Sequence, residues 1–345
     1  MAQLLITGGA GFIGSHTCLV MLQAGHRLVV LDDFSNSSRI SLERVNALAG
    51  ADGAARLHLV EGDIRNSNQL NKAFSIGPSA VDAVIHFAGL KAVGESVQQP
   101  LRYWDVNVNG TRCLLEAMEA NNCYSIVFSS SATLYGYPNS VPISETAPIA
   151  PINPYGHTKA AVEQMLSDTY ASAPESWRIA CLRYFNPVGA HPSGQIGENP
   201  LDIPNNLFPF VSQVAVGRRS HLEVFGGDWP TADGTGVRDY IHVMDLAEGH
   251  SAALDLLVDE APQLLTLNLG SGQGLSVLEV VQAMEVASGR SIPYKITVRR
   301  AGDAAISVAD PTKAAQRLNW RTQRGLEEIC RDSWEWQKKN PEGYS

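Results

Sequence analysis

Tyr155 and Lys159 stand four residues apart in Pro154-Tyr155-Gly156-His157-Thr158-Lys159, downstream of the serine run Ser129-Ser130-Ser131. A tyrosine acts as a base near neutral pH only if its phenolate is stabilised, and a lysine one helical turn away puts a cation on the same face. A free phenol titrates at ~10, so bringing it to ~7 takes ~4 kcal/mol of differential stabilisation. One cation within ~4–6 Å supplies ~1–3 pKa units, so Lys159 needs a second positive charge beside it. The chain also opens with Gly9-x-Gly11-x-x-Gly14, preceded by Gly8, directly after an apolar run and at the head of a helical segment. Glycines in that setting let backbone N–H groups approach a pyrophosphate at the positive end of the helix. Asp32, closing the next apolar run, has the spacing of a carboxylate that holds an adenosine ribose. With Asp33 beside it a 2′-phosphate would be repelled, which favours NAD over NADP. The chemistry implied is redox, at a tyrosine beside a dinucleotide.

These residues require a scaffold of alternating strands and helices. Gln3–Thr7, 27–31, 57–60, 83–87, 125–129 and 179–184 read as buried parallel strands. Helices are expected over 12–24 and 155–170, with one long helical region from about Glu95 to about Ala120. Such alternation predicts an α/β fold, a Rossmann-type doubly wound parallel sheet. Residues 186–240 are rich in Gly, Pro and Asn, including Asn186-Pro187-Val188-Gly189, and read as a loop-rich ligand lobe on a rigid scaffold. A strand near 265–270 and a helix near 277–289 follow. The expected division is a dinucleotide-binding domain over 1–185, to which a segment near 237–270 returns, and a smaller C-terminal α/β lobe over 186–345.

The 345 residues carry a formal charge of −9. With no basic run, nucleic acid and anionic membrane surfaces are excluded as partners, and an anionic substrate needs a local arginine cluster. Five scattered cysteines without a CxxC pair suit reduced thiols in the cytoplasm, and the N-terminus has no signal-peptide pattern. No metal site is expected, since the nine histidines have no ligand spacing. His242 and His250 read as structural, and Ser129 and Ser130 as strand-end residues.

The chain resembles the extended short-chain dehydrogenase/reductase family over its whole length, and within it the UDP-glucose 4-epimerases. The resemblance rests on Thr7 to His16, His86-Phe87-Ala88-Gly89-Leu90-Lys91-Ala92-Val93-Gly94-Glu95-Ser96-Val97 and Ser129-Ser130-Ser131-Ala132-Thr133-Leu134-Tyr135-Gly136. It extends through Arg183-Tyr184-Phe185-Asn186-Pro187-Val188-Gly189-Ala190 and Gly236-Val237-Arg238-Asp239-Tyr240-Ile241-His242. It implies that NAD meets Gly8, Gly11, Phe12, Ile13 and Gly14, then Asp32, Asp33, Phe34, Ser35, Asn36 and Ser37. Asp63 and Ile64 are implied at the adenine edge, although Asp63 equally reads as a helix cap. Phe87, Ala88, Gly89, Leu90, Lys91, Tyr155, Lys159 and Phe185 complete the implied cofactor contacts. Asn107 is expected to support the fold around the site.

The resemblance implies a three-step reaction. Tyr155 takes the proton from the sugar 4-hydroxyl while hydride leaves C4, the 4-keto sugar swings over, and hydride returns to its other face. Ser131 orients O4, with Thr133 close by. Dehydratases of the family place an acidic pair directly after that serine; here Ala132 and Thr133 stand there, which leaves C4 oxidation and return. The UDP-sugar is implied to meet Lys91, Ser131, Ala132, Thr133 and Tyr155, and Asn186, Asn206, Leu207, Phe225, Arg238, Arg300, Asp303 and Ser307. Glu223 and Val224 present backbone to the uracil. Arg238 and Arg300 are the diphosphate candidates, with Arg299 an alternative to Arg300, because the neighbouring motif differs at Ala301. Where Ser307 stands, a tyrosine in the family excludes N-acetylated sugars. The serine predicts activity on UDP-GlcNAc and UDP-GalNAc as well as on UDP-glucose and UDP-galactose. A homodimer is implied, with helices near 107–120 and 155–170 at its axis. An epimerase for a uronic acid or pentose, and a non-catalytic NAD sensor, are the alternative readings.

Overall fold

A computed structural model of the chain describes residues 1–200, 204, 206–300 and 302–344. In chain order the first elements are β1 (Gln3–Thr7), α1 (Phe12–Gln23), β2 (Arg27–Asp32), α2 (Arg39–Ala54), β3 (Leu57–Glu61), α3 (Ser67–Ser75) and β4 (Ala83–His86). Then come α4 (Val93–Gln98), α5 (Pro100–Tyr103), a π-helical turn (Trp104–Asn109), α6 (Gly110–Ala120), β5 (Ser125–Ser131), a 3-10 turn (Ala132–Tyr135), α7 (Pro154–Ser172) and β6 (Arg178–Tyr184). The remainder is β7 (Asn186–Val188), α8 (Leu207–Ala215), β8 (Leu222–Phe225), β9 (Val237–His242), α9 (Val243–Asp259), β10 (Gln263–Leu269), β11 (Gly274–Ser276) and α10 (Val277–Ser288). β12 (Tyr294–Thr297), β13 (Ile306–Ser307), α11 (Thr312–Leu318) and α12 (Leu326–Lys339) close the chain.

Two compact units result. The first comprises Met1–Gly136, Ile149–Arg183 and Ala247–Leu267; the second comprises Tyr137–Pro148, Tyr184–Leu246 and Asn268 onward. The segment that returns to the first unit is therefore 247–267, shorter than the 237–270 read from the sequence. The second unit also takes 137–148, because its backbone is bonded there: the Ile143 N–H donates to the Val308 carbonyl at 2.8 Å, and Asn268 Nδ2 donates to the Ile143 carbonyl at 2.8 Å.

In the first unit a seven-stranded sheet runs β3-β2-β1-β4-β5-β6-β10. β1 pairs in parallel with β2 and β4, setting Leu5 opposite both Val29 and Val84. All five residues of β1 and all four of β4 are buried, as strands covered on both faces must be. Below the sheet Leu5, Val29, Phe74, Val84, Leu114, Met118, Phe128 and Trp177 share one core. The strand order reverses at β1, and in such sheets ligands bind beyond the carboxyl ends of the strands at that point. Thr7, Asp32, His86 and Ser131 all end strands of this sheet.

The single helix expected over about 95–120 is instead three helices and a π turn. Pro100 occupies the first position of α5 and cannot donate into a continuing helix. The π turn carries Asn107, which is buried. α7 starts where Asn153 accepts a hydrogen bond from the Gly156 N–H at 2.8 Å and Pro154 presets the first φ. That cap places Tyr155 in the first turn and Lys159 one turn further on.

In the second unit β9 pairs in parallel with β7 and β13 and antiparallel with β11; β8 and β12 form a two-stranded ribbon. Phe208, Val211, Val224, Tyr240, Val280, Met284, Ile329 and Trp334 make its core. The loop-rich reading of 186–240 missed α8, β8 and the start of β9. Among the described residues no helix is long and apolar enough to cross a membrane, and no His, Cys, Asp and Glu cluster could hold a metal.

Replacing the α7 cap, Asn153→Ala, is expected to lower unfolding free energy by about 0.5–2 kcal/mol. Urea denaturation measures this, and an unchanged midpoint would show that Pro154 alone starts the helix.

Candidate active site

The Gly-rich turn leaves no room for side chains. Gly8 has φ +69°, and a Cβ on it would lie 2.6 Å from the Ala88 backbone N; a Cβ on Gly14 would lie 2.3 Å from the Gly8 carbonyl oxygen. The close packing of the turn on itself and on the loop after β4 opens the backbone to a ligand. Asp32 joins this turn to the loop after β2. One carboxylate oxygen accepts from the Ala10 N–H at 2.9 Å, and the other from the Phe34 N–H at 3.0 Å and Ser37 Oγ at 2.7 Å. Burial raises the Asp32 pKa against these bonds. Asp33 accepts from the Ser35 N–H and hydroxyl. Asp63 does not cap α3: Asn66 does, accepting from the Asn68 and Gln69 N–H groups. The Asp63 carboxylate is bound by Arg65, which holds its pKa below the usual range, and Arg65 also reaches Asp105 at 2.5 Å.

Tyr155, Lys159 and Ser131 come together within the same unit. Thr133 Oγ1 donates to Ser131 Oγ at 3.0 Å, and Ser131 stands beside the Tyr155 phenol. Lys159 Nζ donates to the Ser129 carbonyl at 2.6 Å and lies 5.9 Å from the centre of the Tyr155 ring and 4.8 Å from that of Phe128. Burial pushes the lysine down to about 8, with Glu163 opposing. Burial pushes the phenol up, with Ser131 opposing. The protein's own groups thus do not bring Tyr155 to neutrality; the second cation called for by the sequence argument has to come with the ligand.

Behind this face runs a buried polar chain. Thr158 Oγ1 donates to the Tyr155 carbonyl at 2.7 Å and accepts from Asn107 Nδ2 at 3.0 Å. The Asn107 amide also receives the Leu90 N–H at 2.8 Å and donates to the Leu90 carbonyl at 3.0 Å. Thr111 Oγ1 donates to the Asn107 carbonyl and shares a hydrogen bond with His86, whose other ring nitrogen bonds Thr7. Burial, then the Lys159 charge, push His86 down to about 3, so a neutral imidazole bridges the two threonines. Phe87, which follows it, packs on His250 with ring centres 4.9 Å apart. Ile64 is buried, while Gly89 and Lys91 are exposed.

In the second unit β13 sets Ser307 opposite Arg238 on β9. Asp303 lies 3.8 Å from the Arg238 guanidinium and 2.9 Å from that of Arg300, so both arginines converge on one carboxylate. Arg299 turns away to Asp228 and the face of Trp229, which separates it from this cluster. Arg300 stands over the Phe225 ring, which is 40% exposed, at 5.7 Å. Asn206 precedes α8 and donates to Glu198 at 3.0 Å; Leu207 begins the helix. Glu223 and Val224 alternate out and in along β8, Asn186 lies on β7, and Phe185 is buried. Ala301 lies outside the described residues.

The chain matches the family described as GDP-mannose 4,6 dehydratase over residues 5–333. It is 56% identical over 343 residues to UDP-glucose 4-epimerase 2 of Arabidopsis thaliana, covering 99% of this chain and 97% of that one. Its fold superposes on UDP-glucose 4-epimerase from Stenotrophomonas maltophila, solved with NAD and formylated UDP-arabinopyranose, with a TM-score of 0.94 at 46% identity and 99% of both chains. The Bifidobacterium longum UDP-glucose 4-epimerase, solved with NAD+ and UDP, gives 0.93 at 46% identity, again over 99% of both chains. The chain belongs to the UDP-glucose 4-epimerase family.

Two residues that fix these elements escaped the sequence reading. Ser129 supplies the carbonyl that anchors Lys159, although it reads as a strand end. Asp239 is fully buried and accepts from the Ser271 N–H and hydroxyl, the Gly272 N–H and the Ala309 N–H, fixing the strand that carries Ser307. The signal for Asp239 was its place beside Arg238; its partners lie more than thirty residues away.

Lys159 should reveal its burial in the pH dependence of stability. It loses its proton at about 8 when folded, against an ordinary value of 10.5. Between these values the unfolded chain binds more protons, so this group adds stability as pH rises. The unfolding free energy of the unmodified protein minus that of Lys159→Met should therefore increase from pH about 8 to about 10. A difference that stays flat in urea titrations would contradict the assignment.

Proposed function

We propose that this protein is an NAD-dependent 4-epimerase that interconverts UDP-glucose and UDP-galactose, and also UDP-GlcNAc and UDP-GalNAc. The observation that carries this reading is the Thr133–Ser131 hydrogen bond facing Tyr155 beside an anchored Lys159, with no carboxylate at Ala132 or Thr133. Such a site can move a proton to and from a hydroxyl. It has no acid with which to expel water from the neighbouring carbons.

The crowded turn at Gly8 and Gly14 suits a pyrophosphate, and Asp32 suits a ribose, so NAD is held there. When bound, it supplies a hydride acceptor and donor. Tyr155 takes the proton of the 4-hydroxyl and returns it, and Ser131 orients that oxygen. Lys159 holds positive charge behind the phenol, tethered to the Ser129 carbonyl so that it cannot swing away. Thr133 donates to Ser131, which leaves the serine hydroxyl free to donate forward.

Arg238 and Arg300 meet the diphosphate in place of their shared Asp303 contact, and Phe225 packs on the uracil. Ser307, set opposite Arg238, carries no ring that would exclude an acetamido group. Val97 and Leu101 on α4 and α5, 63% and 83% exposed, and Trp104 after them support a homodimer through this face of the first unit. Five free thiols suit a reducing, cytoplasmic setting.

Purified protein incubated without added NAD should convert UDP-galactose and UDP-GalNAc to their 4-epimers, followed by chromatography. Conversion of UDP-galactose alone would remove the N-acetyl part of the reading. Failure with both, even after NAD is supplied, would remove all of it. Ser307→Tyr should abolish turnover of UDP-GalNAc and leave that of UDP-galactose within about threefold, since one added ring in a pocket discriminates by sterics alone. Equal loss of both would show that Ser307 does not line the C2 side.

A further inference from the structure

Glu163 continues the spacing of the reactive pair along α7: Tyr155, Lys159 and Glu163 follow one another at four-residue intervals and share a face. It is buried, and its carboxylate faces three groups from other elements. Oε1 accepts from Ser130 Oγ and from Arg183 Nε at 3.0 Å, and Oε2 accepts from Arg183 Nη2 at 2.6 Å. The side chains of this ion pair are 8% and 5% exposed. Arg183 in turn donates through Nη1 to the Tyr135 hydroxyl at 2.9 Å.

The contacts bracket the segment that does the chemistry. Ser130 immediately precedes Ser131, and Tyr135 ends the 3-10 turn that Ser131 caps and that carries Thr133. Both ends of this six-residue stretch are thus tied to the helix that presents Tyr155 and Lys159. An ion pair this deep is a poor choice for stability, because the cost of taking both charges out of water offsets their attraction, and apolar residues of similar volume do as well or better. Directional, charge-assisted bonds do supply fixed geometry.

We propose that Glu163, through its buried pair with Arg183, is a positioning residue that holds the Ser131 hydroxyl against Tyr155. This rests on the epimerase reading for its effect on turnover. The geometric part stands without it.

Three proteins test the proposal. Glu163→Gln keeps an acceptor for Ser130 but removes the charge that orients Arg183. The double variant Glu163→Leu/Arg183→Met removes both charges and every tether while restoring apolar packing. In the single variant kcat for UDP-galactose should fall about tenfold or more, with KM within about twofold, a part of the ~10²–10⁴ that positioned proton transfer contributes. In the double variant the thermal midpoint should return to at least its original value while kcat stays low. A crystal structure of the double variant should show Ser131 Oγ moved away from Tyr155 relative to a crystal structure of the unmodified protein. Recovery of kcat together with stability would reduce the pair to a structural role and overturn the proposal, as would an unmoved Ser131. If the unmodified protein failed to epimerise UDP-galactose, the functional reading would fall, and the crystal structure would still decide the positioning.

Discussion

Lys159 carries an ammonium group into a site where only 6% of the residue meets solvent. Burial lowers its pKa to about 8, so near neutrality it remains charged at a cost that its surroundings must offset. Three features do so: the Ser129 carbonyl accepts its hydrogen bond at 2.6 Å, the Phe128 ring lies beneath it, and Glu163 supplies the opposing charge one turn along the helix. The same arrangement fixes where the positive charge can act. A lysine free to move would be solvated elsewhere; this one is held behind the Tyr155 phenol.

The rest of the first unit follows from holding that charge in place. β5 must end at Ser129 to Ser131, so that its last carbonyl and hydroxyls are available to α7. α7 must begin at Asn153, so that Tyr155 falls in its first turn. The π turn, the loop after β4 and α7 are then joined by Asn107, whose amide serves Leu90 and Thr158 at once. His86 stays neutral beside the lysine and links the end of β1 to α6 through two threonines. Each of these groups is buried and polar, and each is satisfied by a partner from a different element. That is how a rigid polar site is built without unpaired groups.

Much of this was legible in the chain because its signals are local. The strand boundaries of β1, β2 and β4 follow from buried apolar runs, and the turn at Gly8 to Gly14 from its spacing. The Tyr155–Lys159 pair required only that the segment be helical. What the sequence hid was long-range. The π turn at Trp104–Asn109 looks like ordinary helix, because its departure comes from tertiary contacts of Asn107. The cap reading of Asp63 lost to Asn66, and Arg65 and Asp105 took its carboxylate. The excursion of 137–148 into the second unit depends on backbone bonds to residues near 268 and 308, which no local pattern announces. Choosing Arg300 over Arg299 likewise needed the position of Asp228.

In the proposed reaction hydrogen leaves C4 as hydride, stays with the protein, and returns to the same carbon while Tyr155 handles only the hydroxyl proton. UDP-galactose deuterated at C4, turned over in ordinary water, tests it directly. The account predicts UDP-glucose that keeps its deuterium at C4, by mass spectrometry and proton NMR. Product that has exchanged that deuterium for solvent hydrogen would mean that C4 reacts as an acid, and it would contradict the role assigned to Tyr155, Lys159 and Ser131.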